Sequence, residues 1–271
     1  MPVHDDLGTR MKTFYEGVPK TKLMRRTPVA IRIDGKAFHT FTHGFKRPFD
    51  DILVKSMQET TKYLCENIQG CVLGYTQSDE ITLILVDYKN LNSAAWFDYE
   101  VQKMCSISAS MATMAFNKFF KQNVSEAYKI RYAEPGKCTM PYDLYETYCT
   151  SIEKGAMFDA RCFNIPREEV TNLIYWRQLD ATRNSIQMVG QANFSHKELQ
   201  NKNCNMIQDM LHEERGINWN DFPTYLKRGS CVVKHQSLTD GNWHWIIDKE
   251  IPIFKGEGRE YIEKLIQPEE Q

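Results

Sequence analysis

Short cysteine spacings are absent from this chain. Its eight cysteines, Cys65, Cys71, Cys105, Cys138, Cys149, Cys162, Cys204 and Cys231, include no Cys-x-x-Cys pair. That argues against a zinc ribbon or a thioredoxin-type redox motif, and the apolar surroundings of Cys65, Cys105 and Cys162 suit buried free thiols. His39 and His43 stand four apart, but the Thr-Phe-Thr between them is a poor helix and no third ligand suggests itself. No apolar run approaches the roughly 20 residues that cross a bilayer, so no membrane partner is expected. The N-terminus, Met1-Pro2-Val3-His4-Asp5-Asp6, lacks the basic-then-apolar order of a signal peptide, and the expectation is a cytoplasmic protein. An excess of one charge is also missing. Thirty-four Lys+Arg against 35 Asp+Glu leave a net charge of −1, which excludes indiscriminate binding of nucleic acid by bulk charge but leaves local basic surfaces open. Repeats and low-complexity tracts are absent too. What remains, 42% hydrophobic and 25% charged over 271 residues, is an ordinary globular composition with enough apolar residues for one large or two modest domains.

Two stretches carry chemistry. Val29-Ala30-Ile31-Arg32-Ile33-Asp34-Gly35 ends a strand-like run on an acid before a glycine, and Ser78-Asp79-Glu80 opens the apolar run Ile81–Val86. Each alone reads as ordinary turn chemistry. Together, separated by a helix-length segment, they bring Asp34, Asp79 and Glu80 to one place if the strands are neighbours. Clustered carboxylates repel and are costly to desolvate unless a cation neutralises them, and hard oxygen ligands with room for water and phosphate suit Mg²⁺. The pattern therefore points to a two-metal nucleotidyl-transfer site with Asp34 and Asp79 as bridging ligands. Glu80 is the third acid, on a strand where neighbours alternate in direction. The Gly35-Lys36-Ala37-Phe38-His39 segment offers backbone amides to a triphosphate, with His39 and Ser78 as candidate phosphate donors. Lys46 and Arg47 suit a second phosphate group or an RNA backbone. The basic run Lys20, Lys22, Arg25 and Arg26 flanks the first acid motif and is a candidate RNA-facing patch.

Periodicity places these motifs. A strand over Val29–Ile33 is followed by an aromatic loop (Phe38, Phe41, Phe45) and a helix from Phe49 to Gln69. Strands over Cys71–Tyr75 and Ile81–Val86 come next, then a long helix from about Ala94 to Phe120 capped by Asn92-Ser93. Residues 121–156 read as irregular, with Pro135-Gly136 and Pro141 as loop marks. A fourth strand covers Met157–Ile165, Pro166 starts a helix running toward Val189, and Ser195 with Glu198 makes a capping box. Strand and loop follow, including Gly229–His235 and Trp243–Ile247. The order through residue 165 is βαββαβ, the ferredoxin-like split βαβ, so the expected class is α+β. The expected organisation is a core over 1–165 with its basic N-terminal segment, and a C-terminal helical and mixed extension over 166–271 packed with it as one unit.

The ordered set Arg32-Ile33-Asp34-Gly35-x-x-Phe38-His39-x-Phe41, Phe45-x-Arg47-Pro48, Tyr75-x-Gln77-Ser78-Asp79-Glu80, Trp96-Phe97, Phe158-Asp159-Ala160-Arg161 and Tyr175-Trp176-Arg177-Gln178-x-Asp180 resembles the tRNA-His guanylyltransferase superfamily over roughly residues 28–190. The resemblance implies a polymerase-palm-like catalytic core that adds nucleotides to the 5′ end of tRNA, with two Mg²⁺ ions and with ATP and GTP or another nucleoside triphosphate as substrates. It implies metal ligation by Asp34, Gly35 and Asp79, with Glu80 in the same catalytic set. It also implies that Gly35 to His39 and Ser78 hold the activating triphosphate, that Arg47 and Lys103 hold the incoming nucleotide's phosphates, and that the assembly is a homotetramer spanned by tRNA. Where the eukaryotic guanylyltransferases carry His-Ile-Asn-Asn-Leu-Tyr-Asn, this chain has Thr182-Arg183-Asn184-Ser185-Ile186-Gln187-Met188, and Glu100 replaces a basic residue near Lys103. These departures resemble the guanylyltransferase-like proteins associated with template-dependent 3′–5′ addition. Arg183 is accordingly a further RNA-binding candidate. The alternatives are a non-templated tRNA-His guanylyltransferase, a nucleotide cyclase on a related fold, and a non-catalytic RNA-binding module.

Overall fold

The computed structural model describes residues 5–133, 140–237 and 241–268, and Cys138 and Pro135-Gly136 lie outside them. Six strands form one antiparallel sheet: β1 (Val29–Gly35), β2 (Cys71–Gln77), β3 (Glu80–Leu85), β4 (Phe158–Asn164), β5 (Ser230–Gln236) and β6 (Trp243–Asp248). Their order is β4-β1-β3-β2-β5-β6. The first four strands follow the split βαβ expectation, and β5 then pairs with β2 through Gly74↔Val232 and Tyr75↔Cys231. The C-terminal extension thus continues the same sheet.

Helices α1 (Asp6–Met11), α2 (Phe38–Phe41), α3 (Asp51–Asn67), α4 (Val101–Ala133), α5 (Tyr142–Lys154), α6 (Arg167–Asn193), α7 (His196–Leu199) and α8 (Cys204–Arg215) surround it. Alternation along β1 assigns the faces. Ile31 and Ile33 join the core made with Met57 and Leu64 of α3 and Met104 and Phe116 of α4. Ala30 joins a second core on the other face, with Ile174 of α6, so Arg32 and Asp34 share that face.

Two helix readings are corrected. Asn92-Ser93 does not cap α4, because Phe97, Asp98 and Tyr99 take left-handed backbone at φ 49°, 51° and 56°. Trp96 and Tyr99 are buried there, and the N-terminal segment pairs with this turn through Leu23 N–H to Tyr99 O (3.0 Å) and Val101 N–H to Thr21 O (2.9 Å). Tertiary contacts thus hold the backbone out of helix until Val101. Farther along, α4 continues past Phe120 to Ala133 and residues 142–154 form α5, where irregular chain was expected. Phe116, Phe120 and Tyr148 carry the packing: Phe116 and Phe120 stack at 5.6 Å, and Phe120 meets Tyr148 edge-on at 5.8 Å. The Ser195–Glu198 capping box forms, but the helix it opens is only four residues long.

Candidate active site

The first acid is placed by strand pairing. In register, Asp34 lies opposite Glu80 on β3 and Asp159 on β4. The β2–β3 turn is closed over the strand end by the Gly35 amide, which donates to Asp79 O at 3.2 Å. Ser78 sits in that turn with φ 50°, and its hydroxyl donates to Asp79 Oδ1 at 3.1 Å. Burial, followed by the charges of Glu80 and Asp159, raises the Asp34 carboxyl above its ordinary range. Burial first, with the Asp34 charge adding, pushes Asp79 up to about 6, against the hydrogen bonds from its own backbone amide and from Ser78. Neither acid forms an ion pair among the described residues.

Next to the acids the chain makes an anion cradle. Ala37 takes left-handed backbone at φ 50°, turning β1 into α2. The Lys36 amide donates to Met157 O at 2.9 Å, while the amides of Ala37, Phe38 and His39 have no partner among the described residues. Three free amides in succession after a left-handed residue form a nest for anionic oxygen. Gly35 is required for a packing reason: a Cβ there would lie 2.2 Å from the Phe38 ring. That ring is 5% exposed and meets Phe41, Phe116 and Phe158 at 5.1, 5.4 and 5.2 Å. A cavity of about 570 Å³ joins the acids to this nest, lined among others by Asp34, Asp79, Ser78, His39 and Arg47. Arg47 also borders a neighbouring groove of about 500 Å³ with His196 and Lys202. Asp50 fixes the Arg47 loop: it caps α3 at Leu53 N (2.9 Å) and accepts from Lys46 N (3.1 Å) and Tyr148 OH (2.6 Å).

Several residues named from the sequence stand elsewhere or act differently. Glu80 is ion-paired, with Arg32 at 3.2 Å and with Arg177, which in turn holds Asp180 at 2.9 Å. Its charge is neutralised where those of Asp34 and Asp79 are not, and no cluster of three or more His, Cys, Asp or Glu ligands occurs among the described residues. Phe38 offers its amide while its ring packs in the core, and the exposed Lys36 does not line the cavity. Lys103 is absent from the cavity lining as well; its ammonium lies 6.0 Å from the Phe97 ring, on the α4 side of the molecule. The basic N-terminal run has intramolecular partners: Lys22 with Asp98, Arg25 with Asp87 (2.7 Å) and Asp98 (3.0 Å), Arg26 with the carbonyls of Asp87 and Asn90, and Lys20 with Glu16 at 3.8 Å. Arg183 pairs with Asp180 and stays largely exposed. Glu100 is buried where its backbone bridges to Lys22.

Residues that sequence reasoning left without a role are Arg32, Trp176, Arg177 and Asp180. Arg177 is 4% exposed and lies 4.6 Å from the centre of the Trp176 ring, with Arg32 at 5.3 Å. The signal was present: Arg32 shares the face of Asp34 by strand alternation, and Arg177 with Asp180 is an i,i+3 pair.

A sheet that sets two un-neutralised carboxylates beside an amide nest defines an enzyme that handles phosphate. Residues 8–166 match the tRNAHis guanylyltransferase (Thg1) family, and the chain belongs to that family of nucleotidyltransferases. It is similar to an uncharacterized protein of Acanthamoeba polyphaga mimivirus, 27% identical over 93% of this chain and 85% of that one. It is also similar to the tRNA(His) guanylyltransferase of Saccharomyces cerevisiae, 26% identical over 84% and 90%. Among solved structures, a bacterial tRNA(His) guanylyltransferase (Thg1)-like protein in complex with ATP matches with TM-score 0.78 and 41% identity over 96% of this chain and 99% of that one. The GTP complex matches with TM-score 0.75 and 39% identity, over 96% and 99%.

Proposed function

We propose that this protein adds nucleotides in the 3′–5′ direction to the 5′ end of truncated tRNA, choosing each by pairing with the opposing strand. The observation that carries this reading is the 41% identity to the bacterial Thg1-like protein, where the yeast guanylyltransferase structure, matched in the same way, shares 22%. The Thr182–Met188 segment, in place of the His-Ile-Asn-Asn run, supports the same choice.

The residues divide the work. The nest at 37–39, with His39 and Ser78, binds the triphosphate of ATP or GTP, whose α-phosphorus is attacked by the RNA 5′-phosphate with loss of pyrophosphate. The 3′-hydroxyl of the incoming nucleotide then attacks that activated 5′-phosphate and releases the nucleoside monophosphate. Arg47, between the cavity and its neighbouring groove, binds the incoming phosphates. Asp34 and Asp79 fit Mg²⁺: they are hard, desolvated, mutually repelling oxygens, with Gly35 in the same cavity lining and space there for phosphate and water. Two bound ions would supply charge neutralisation at the reacting phosphate and a more acidic 3′-hydroxyl. Glu80 holds Arg32 and Arg177 in place and so orients the wall behind Asp34. The palm-like core, a homotetramer and a cytoplasmic location belong to the same reading; light scattering tests the assembly.

The test uses tRNA lacking its first nucleotide, with Mg²⁺, ATP and each nucleoside triphosphate in turn, against variants of the opposing base. Incorporation that follows the complement is the expected result. Guanosine added whatever the template would make the protein a tRNA-His guanylyltransferase, and cyclic nucleotide without RNA would make it a cyclase.

A further inference from the structure

At the end of β2 and β3 away from Asp79 the sheet opens into a second groove, of about 820 Å³. Among the described residues its walls carry Lys89, Lys234, His235, Lys264 and Trp243 and no carboxylate. In a chain of net charge −1, that cationic lining is a local arrangement. Lys234 and Lys264 enter no ion pair among the described residues; their ammonium groups lie 5.4 Å from the Trp245 ring and 5.6 Å from the Tyr261 ring. Trp243 is 64% exposed, at the start of β6, the edge strand of the sheet, and pairs in register with Gln236 while Lys234 pairs with Trp245. Lysines that meet a phosphate backbone, beside an indole open for a base to stack on, are the elements of a nucleic-acid surface.

We infer that this groove binds the RNA substrate at a distance from its reacting end, with Lys234 and Lys264 on phosphates and Trp243 against a base. β2 spans Cys71–Gln77, which at about 3.3 Å per residue puts the groove roughly 20 Å from the Asp79 turn. A single nucleotide does not reach from one to the other, whereas a polynucleotide does. The inference rests on the proposed reaction for the identity of the strand.

The experiment measures binding of 5′-truncated tRNA to the full chain as a function of salt, for wild type, Lys234→Ala/Lys264→Ala, Trp243→Ala and Trp243→Phe. ATP affinity and nucleotide addition are followed in parallel. The double lysine variant is expected to bind on the order of 10-fold more weakly, with a log–log salt slope shallower by about 1.4 to 1.8. Trp243→Ala is expected to bind about 10-fold more weakly at unchanged slope, with Trp243→Phe restoring affinity and ATP binding unaltered throughout. Unchanged affinity and slope in the lysine variant overturn the inference while leaving the enzymatic reading intact if addition continues. Heparin bound as tightly as tRNA, with a neutral Trp243→Ala, also overturns it, because the surface then holds any polyanion. Lost RNA affinity in the variants of a protein that adds no nucleotide supports the groove and overturns the reaction instead.

Discussion

Asp34 and Glu80 face each other across one antiparallel pair, yet they have opposite fates. Glu80 is held between Arg32 and the buried Arg177; Asp34, with Asp79 next to it, has no ion pair and lies above its ordinary carboxylate range. The same contrast recurs at larger scale, because the cavity at Asp79 holds two acids that enter no ion pair among the described residues, and the far groove holds Lys234 and Lys264 with no acid among its described lining residues. A neutralised charge holds structure together, whereas a charge left without a partner in a cavity wall is set for something that arrives from outside.

The sharpest way to break this comparison is to remove the un-neutralised acids. Asp34→Ala or Asp79→Ala should lower nucleotide addition by roughly 10³-fold or more, with tRNA affinity within about 3-fold of wild type. Single-turnover addition and RNA binding measured on the same preparation check it, and full activity in both variants would sink the site assignment. Next in size is the neutralised acid. Glu80→Ala leaves Arg177 buried with one partner fewer and should destabilise the fold by about 3 kcal/mol, whereas Asp34→Ala should not destabilise it at neutral pH. Denaturant midpoints of the two variants compare them directly.

The Gly35→Ala variant tests the packing beneath the cradle. Its Cβ would overlap the Phe38 ring, so a loss of about 1–3 kcal/mol and weakened ATP binding are expected, visible in the melting temperature and by calorimetry.

Asp79 sharpens the comparison through pH. Its folded pKa of about 6 stands above the unfolded value near 3.9, so the folded state binds the proton more tightly. The stability this group contributes is fully present below about pH 4 and lost as pH rises through about 6. Asp79→Asn should therefore stabilise the metal-free protein at pH 7.5 by on the order of 1–2 kcal/mol and have no such effect at pH 4. For the same reason added Mg²⁺ should raise the melting temperature more at pH 7.5 than at pH 5. Equal shifts at both values would count against Asp79 as the ligand. The smallest effect is expected from Lys22→Ala, whose ammonium is spoken for by Asp98: its salt slope for tRNA should stay within about 0.3 of wild type, in contrast to the groove lysines.

The acids were readable in the chain because a strand end followed by glycine, and a polar turn before an apolar run, are local patterns. The βαββαβ order came from periodicity in the same way, and the Ser195–Glu198 capping box is a four-residue signal that needs no tertiary context. The rest is of longer range. The start of α4 moved to Val101 because pairing with Thr21 and Leu23 holds the preceding turn, and the N-terminal basic run has partners, Asp87 and Asp98, more than 60 residues away that no local pattern shows. Lys103, assigned through resemblance, sits on a helix packed against the face of the sheet opposite Asp34.

By itself the sequence determined that Asp34 comes near the end of one strand and Asp79 in the turn before another, that glycine precedes a cradle of amides, and that a helix lies between the first two strands, since each follows from hydrogen bonding and side-chain alternation over a few residues. Only the tertiary structure decided which acids are neutralised, which cations are left facing a groove, and that β5 and β6 extend the sheet away from the site. Those depend on Coulomb partners and strand neighbours brought together from distant positions, and electrostatic energy is set by distance in space rather than along the chain.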